Sequence, residues 1–254
     1  MRQLSLSVDH LVGADGQTAS VYANNLMAYF KYRADVLNNF VQHQLQTKEQ
    51  AEAMYLRLSS SLQSRLPVTM NKQKGDKATV AYLTGMVNLL VEANAQGIDY
   101  DHDPRQLTTI TKDGRPLRTL ARRVDGAFPS IVNPVAIWEI KEYYHTTTFG
   151  SRVSGGVYET PLDGMELEEM RLQTGIHVEH VLIIDAHYTW WDCGRAYLCR
   201  MIDSLQMGFV DEVLFGKEIE NRLPTLVAGW VQKVRALQSA GPDTPRPHGQ
   251  TSLI

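Results

Sequence analysis

Several features that would narrow the class of this chain are scarce or missing. Only two cysteines occur in 254 residues, Cys193 and Cys199, six apart in a helical pattern and therefore on different faces. They cannot build a disulfide framework or a zinc site, and free thiols suit a reducing cytoplasm, the expected location. No apolar run approaches the roughly 20 residues that span a bilayer, so neither a transmembrane helix nor a membrane partner is expected. The start, MRQLSLSVDHLVGADG, lacks a continuous apolar stretch after its one Arg and does not read as a secretory signal. Excess positive charge is missing too. The net charge of −3 excludes a uniformly basic nucleic-acid coat, though not a local basic patch. There is no internal repeat and no low-complexity tract. What remains, 43% apolar and 21% charged, is the composition of a globular protein.

The order of elements follows from periodicity and turn chemistry. Apolar residues recur at helical spacing from Tyr22 to about Leu45 and from Ala51 to Leu66, where Pro67 ends the pattern. Asp76 is an N-cap candidate for a third helix, Ala78 to Ala95, which Gly97 would close. After Pro104 the texture becomes β-rich. Leu107 to Thr111 and Pro116 to Phe128 flank the hairpin signal Asp113-Gly114, and Val135 to Tyr144 reads as a third strand. A helix follows from about Ser154 to Gln173, broken or started late by Pro161. Then come a buried strand (His177–Ala186), a helix (Gly194–Met207), a short strand (Phe209–Phe215) and a last helix (Glu218–Leu237). The expected fold is α/β: a mixed β-sheet, an antiparallel meander plus a parallel βαβ unit, flanked by helices, with a helical N-terminal region. The expected divisions are 1–76, 77–240 and a frayed tail, 241–254.

One constellation carries chemistry. In Trp138-Glu139-Ile140-Lys141 the two-residue period of a strand turns Glu139 and Lys141 to one face, with Trp138 and Ile140 on the other. Asp125 lies fourteen residues before Glu139, near the end of the preceding strand, and a short Pro-bounded turn would bring the two carboxylates together. Two acids so close repel unless a divalent cation lies between them. Hard oxygen ligands suit Mg²⁺, with Mn²⁺ able to substitute, and the Ile140 carbonyl could supply a further oxygen. Lys141 could then orient or deprotonate a metal-bound water and stabilise charge on a phosphate. The plain alternative is a solvated strand face on which Glu139 and Lys141 form a weak pair, worth about 0.2–1 kcal/mol.

Asp125, Glu139 and Lys141, set within helix, three strands, helix and strand over roughly Thr79 to Phe215, resemble the PD-(D/E)xK nuclease superfamily, the restriction-endonuclease-like fold. The Pro before the Asp is absent here, the sequence reading Arg-Val-Asp125-Gly. The resemblance implies metal-dependent hydrolysis of a phosphodiester, with Asp125 and Glu139 as metal ligands and Lys141 as the catalytic lysine. It also implies a glutamate from the preceding helix, for which Glu92 is the candidate, and a polar residue from the following helix, Arg152 or Glu159.

Around this centre, Arg105, Lys112, Arg115, Arg118, Arg122 and Arg123 concentrate positive charge on the hairpin, where phosphate contact and a solvated tip are both open readings. Beyond the strand, Tyr144 and Arg152 are candidates to hold the substrate backbone, ahead of His145. Trp190 and Trp191 could stack on bases or, the plainer reading, pack a helix onto the sheet. The expectation is an Mg²⁺-dependent endodeoxyribonuclease acting on DNA, in restriction or antiviral defence, as a homodimer or within a multi-protein defence complex. A non-catalytic protein binding nucleic acid or a partner on a nuclease-like scaffold is the alternative. A third reading is an enzyme acting on another phosphate ester, such as RNA.

Overall fold

The computed structural model describes residues 12–13, 19–71, 75, 78–145 and 149–239. The chain divides into two compact units, residues 1–43 and 44–254. In the first, Ser20 begins α1 (Val21–Val36), its hydroxyl accepting a hydrogen bond from the Ala23 N–H at 3.2 Å. A π turn (Leu37–Val41) widens the helix, and one more turn, α2 (Gln42–Gln44), follows. Tyr22, Met27 and Phe30 on α1 are exposed.

The second unit opens with α3 (Lys48–Ser61), started by a reciprocal cap between Thr47 and Gln50. The expected boundary at residue 76 falls inside this unit, because Ala51, Met54 and Leu58 of α3 are buried in one cluster with α4 (Tyr82–Asn94). Asp76 and the tail from 240 onward lie outside the described residues. In place of that N-cap, the Glu142 carboxylate accepts from the Thr84 N–H at 3.0 Å and the Thr84 hydroxyl at 2.9 Å. This satisfies open donors in the first turn of α4.

The hairpin forms as the turn chemistry predicts. Strands β1 (Thr109–Lys112) and β2 (Arg115–Thr119) pair antiparallel, closed by Asp113 and Gly114 at φ of 52° and 73°. The second expected strand divides, however. After β2 the chain leaves the ladder, and six residues intervene before β3 (Gly126–Phe128), so the meander is not continuous. Leu120 and Val124 account for the break: both turn into a buried cluster with Ile110, Ala127 and Ile137 rather than stay in an exposed ribbon.

The main sheet has the order β3-β4-β5-β6. β3 is antiparallel to β4 (Ala136–Glu142), and β5 (Glu179–Asp185) and β6 (Glu212–Phe215) continue it in parallel. Helix α5 (Ser151–Thr174) connects β4 to β5, with Pro161 inside it and not ending it. A π turn (Tyr188–Cys193) and α6 (Arg195–Gln206) connect β5 to β6, and α7 (Ile219–Ser239) completes the unit. This is the α/β class with a mixed sheet that the element order implies.

The two faces of β4 go to different layers, and this positions the site. Ala136 and Trp138 face α3, α4 and α7, where Trp138 stacks on Trp230 at a centroid separation of 5.7 Å and an angle of 4°. Ile137 faces Leu167 and Met170 of α5. By the strand period, Glu139 and Lys141 follow Ile137. Among the described residues, no helix is long and apolar enough to cross a membrane.

Candidate active site

On the α5 side of β4, Glu139 is 2% exposed and Lys141 7% exposed. Lys141 Nζ donates to Glu139 Oε2 at 3.0 Å. The pair is buried, so it is not the weak ion pair of a solvated strand face. Breaking such a pair by removing one partner costs about 3–5 kcal/mol. Asp125 meets the same strand at its edge. Its N–H donates to the Trp138 carbonyl at 3.1 Å, and its Oδ2 accepts from the Ile140 N–H at 2.8 Å. Just before β3 begins, the Asp125 carboxylate therefore takes the ladder position that a main-chain carbonyl would fill. Peptide groups two apart face the same strand edge, so the Ile140 carbonyl points toward the Asp125 edge as well.

Burial, the largest influence, raises the Glu139 carboxyl to about 7, against the pull of Lys141 and with a further push from Asp125. Burial also works against charge on Lys141, but the adjoining Glu139 outweighs it and the ammonium ends above its ordinary range. The second oxygen, Glu139 Oε1, is buried with no hydrogen-bond partner among the described residues. An anionic oxygen left bare in the interior is costly unless a cation or donor completes it. The donors fit a hard divalent cation: two carboxylates and one carbonyl, all oxygen. Among the described residues no group of three or more His, Cys, Asp or Glu could hold a metal.

Helix α5 brings a second set of charges. Arg122, in the segment between β2 and β3, reaches Asp163 at 2.7 Å and Glu159 at 2.9 Å, and lies 3.8 Å from Glu139. Asp163 is buried, which raises its carboxyl to about 6 despite Arg122 and Lys141. Glu166 accepts from the Ala121 N–H, and Glu169 holds Arg118. Acids at 159, 163, 166 and 169 thus form a helical row that grips residues 118–122.

Asp125, Glu139, Ile140, Lys141 and Arg122 come together; other expected residues do not. Glu92 belongs to α4, on the Trp138 side of the sheet, where its carboxylate is taken up by Ser64 at 2.5 Å and by Arg65 at 3.2 Å. Tyr144 is displaced for a simpler reason: it differs in parity from Lys141 and so faces α4, packed against Tyr82. Its hydroxyl donates to Asp185, whose other oxygen accepts from the Gln46 N–H at 2.8 Å. Arg123 is exposed, and the side chain of Arg152 lies outside the described residues. The basic hairpin is also less free than its composition suggests, since Arg105 is paired with Asp103, Arg118 with Glu169, and Arg122 with Asp163 and Glu159. Trp190 and Trp191 are buried, as in the packing reading, and Trp190 lies edge-on to Tyr143 and Phe149.

Two residues of the site escaped sequence reasoning. Tyr143 shares the parity of Glu139 and Lys141, and its hydroxyl closes with the Lys141 stem over Gly156 of α5, where a Cβ would lie 3.3 Å and 3.5 Å from them. Strand parity alone would have found it. Asp163 would have been suggested by the spacing Glu159-x-x-x-Asp163, which aligns two acids on one helix face.

The Asp185 carboxyl provides a test independent of catalysis. Burial above all, with Glu142 adding to it, raises this group well above the ordinary range, against the bonds from Gln46 and Tyr144. A raised carboxyl stabilises the fold below the unfolded pKa of about 3.9 and loses that contribution as pH rises toward the folded value, at about 1.4 kcal/mol per unit. Asp185→Asn imitates the neutral acid. Urea midpoints across pH should show the wild type falling behind this variant above about pH 4, and a constant difference would contradict a neutral buried Asp185.

A mixed-sheet α/β protein with a buried acid–lysine centre is the class that fold and site define. The chain belongs to the family described as "Domain of unknown function (DUF7687)", whose model matches residues 46–230. No curated protein and no solved structure matches it. The matched segment runs from Gln46, which bonds Asp185, to Trp230, which stacks on Trp138.

Proposed function

We propose that this protein is a metal-dependent phosphodiesterase that cuts DNA, on a scaffold like that of the restriction endonucleases. The observation that carries the reading is the bare, buried Oε1 of Glu139 beside an ammonium and across the strand edge from Asp125. Asp125, Glu139 and the Ile140 carbonyl would hold Mg²⁺ or Mn²⁺. The ion, when bound, supplies an acidified water and neutralises charge on the phosphate. Lys141 is fixed by Glu139 so that its remaining donors face the reacting group, as hydrogen bonds to a developing anion require. Asp125, tied to the Ile140 N–H, sets the edge of the site.

Incubating the purified protein with supercoiled and linear DNA, in EDTA and in Mg²⁺ or Mn²⁺, tests this. Cleavage that needs the cation is the expected result. DNA binding without cleavage under every metal condition would replace the hydrolase by a binding protein. The cation's affinity should also depend on pH with a definite sign. The Glu139 carboxyl sits at about 7, so binding must displace its proton below that pH. Affinity should therefore fall about tenfold per unit below pH 7 and level off above it. Calorimetry in two buffers of different ionisation enthalpy reads the released proton directly, and a pH-independent affinity would count against Glu139 as a ligand.

A further inference from the structure

The two acids that hold Arg122 differ in burial. A guanidinium presents donors along more than one edge of a rigid plane. One terminal nitrogen of Arg122 is bound at 2.7 Å to Asp163, whose side chain is 3% exposed. The other is bound at 2.9 Å to Glu159, whose side chain is 45% exposed. The same Glu159 oxygen lies 3.9 Å from Lys141 Nζ. An anionic oxygen thus sits between the two cations of the site.

We propose that Arg122 and Lys141 form the subsite for a phosphodiester oxygen, that Glu159 occupies it until nucleic acid arrives, and that Asp163 is the positioning residue that keeps Arg122 in place. This rests on reading the site as one that acts on nucleic-acid phosphates. The asymmetry in burial decides which acid yields. An exposed ion pair is worth only about 0.2–1 kcal/mol and weakens with salt, so Glu159 can turn into solvent from the surface of α5. A buried acid has no such exit: separating Arg122 from Asp163 would strand a charge in the interior. Arginine bonds carboxylate and phosphate with the same planar donor geometry, so a phosphate oxygen can replace the Glu159 oxygen without moving the guanidinium. Acids four residues apart on one helix therefore act in opposite directions, Asp163 supporting phosphate binding and Glu159 competing with it.

The test is a double-mutant cycle on the full chain, read as fluorescence anisotropy of a short labelled DNA duplex in EDTA. Glu159→Gln should tighten binding about three- to tenfold, and Arg122→Gln should weaken it about tenfold. In the Arg122→Gln background, Glu159→Gln should change binding less than about twofold, because the competition it relieves no longer exists. Asp163→Asn should resemble Arg122→Gln and likewise lower the salt slope by about one, which loss of packing alone would not do. If Asp163→Asn does not fold, the cycle at the partly exposed Arg122 and Glu159 still decides the matter. Weaker binding by Glu159→Gln, an equal gain in both backgrounds, or no wild-type binding overturns the subsite. Coupling without Mg²⁺-dependent cleavage by the wild type supports the subsite and overturns the hydrolase. Cleavage without coupling overturns the subsite alone.

Discussion

Lys141→Met is expected to lower Mg²⁺-dependent DNA cleavage by roughly 100- to 1000-fold, the scale seen when one donor to a developing anion is removed. Glu139→Gln is expected to do at least as much by a different route. Glu139 is argued to be a ligand, so its amide should lose both cleavage and the cation. Lys141 is argued to act on the reacting group, so Lys141→Met should keep the cation. The pH of the comparison matters. Lys141 pulls the Glu139 carboxyl down against burial, so removing the ammonium raises that carboxyl further and weakens cation binding near neutrality. Above about pH 8 the two variants should separate clearly, with metal bound by Lys141→Met and lost in Glu139→Gln. Met fills the volume of the lysine stem and leaves the fold to be checked by circular dichroism. Cleavage within about tenfold of wild type by Lys141→Met would remove the ammonium from the chemistry.

A large effect on stability that does not touch the charged pair is expected one residue from Asp125. A Cβ on Gly126 would fall 2.0 Å from the Trp138 ring, its cross-strand partner. Trp138 is wholly buried and stacked on Trp230, so the indole cannot retreat. Gly126→Ala should cost about 3 kcal/mol or more, the upper end for overpacking a tight core. Denaturant midpoints measure the loss, and adding Trp138→Phe should recover part of it by making room. Because β3 must shift, Asp125 shifts with it, and cleavage should fall even where the variant stays folded. Gly155→Ala on α5 is the control: among the described residues, nothing outside its own helix backbone and chain neighbours lies within 4 Å of its would-be Cβ, and the substitution should stabilise by about 0.5–1 kcal/mol. A loss of less than about 1 kcal/mol for Gly126→Ala would mean that the Trp138–Trp230 stack yields more readily than its burial implies.

How much of this was legible beforehand depended on the range of the interaction that decides it. Alternation along β4 is local, and it correctly paired Glu139 with Lys141. The Asp113-Gly114 turn is local too. The hydrogen-bonding richness of the segment after β4 points to Tyr144, whereas strand parity favours Tyr143. Glu92 could not be assigned from its own helix, since which face of the sheet α4 covers depends on the core formed by Trp138 and Trp230. The break between β2 and β3 arises because Leu120 and Val124 find a core assembled from β1, β4 and α5. Arg122 was legible as a positive charge, but its partners lie 37 and 41 positions away on α5. Pairing over that distance follows from packing, not from spacing. The division of the chain at residues 43 and 44, inside a continuous helical pattern, has no local mark at all.

Cation binding to the wild type and to Glu139→Gln, by Mn²⁺ titration followed with electron paramagnetic resonance at about pH 8, bears most directly on the central claim. The account predicts that the wild type removes free Mn²⁺ through a site that Mg²⁺ can displace, and that Glu139→Gln lacks this site while remaining folded. Identical titrations of the two proteins would contradict it, because the bare buried oxygen of Glu139 would then hold no ion.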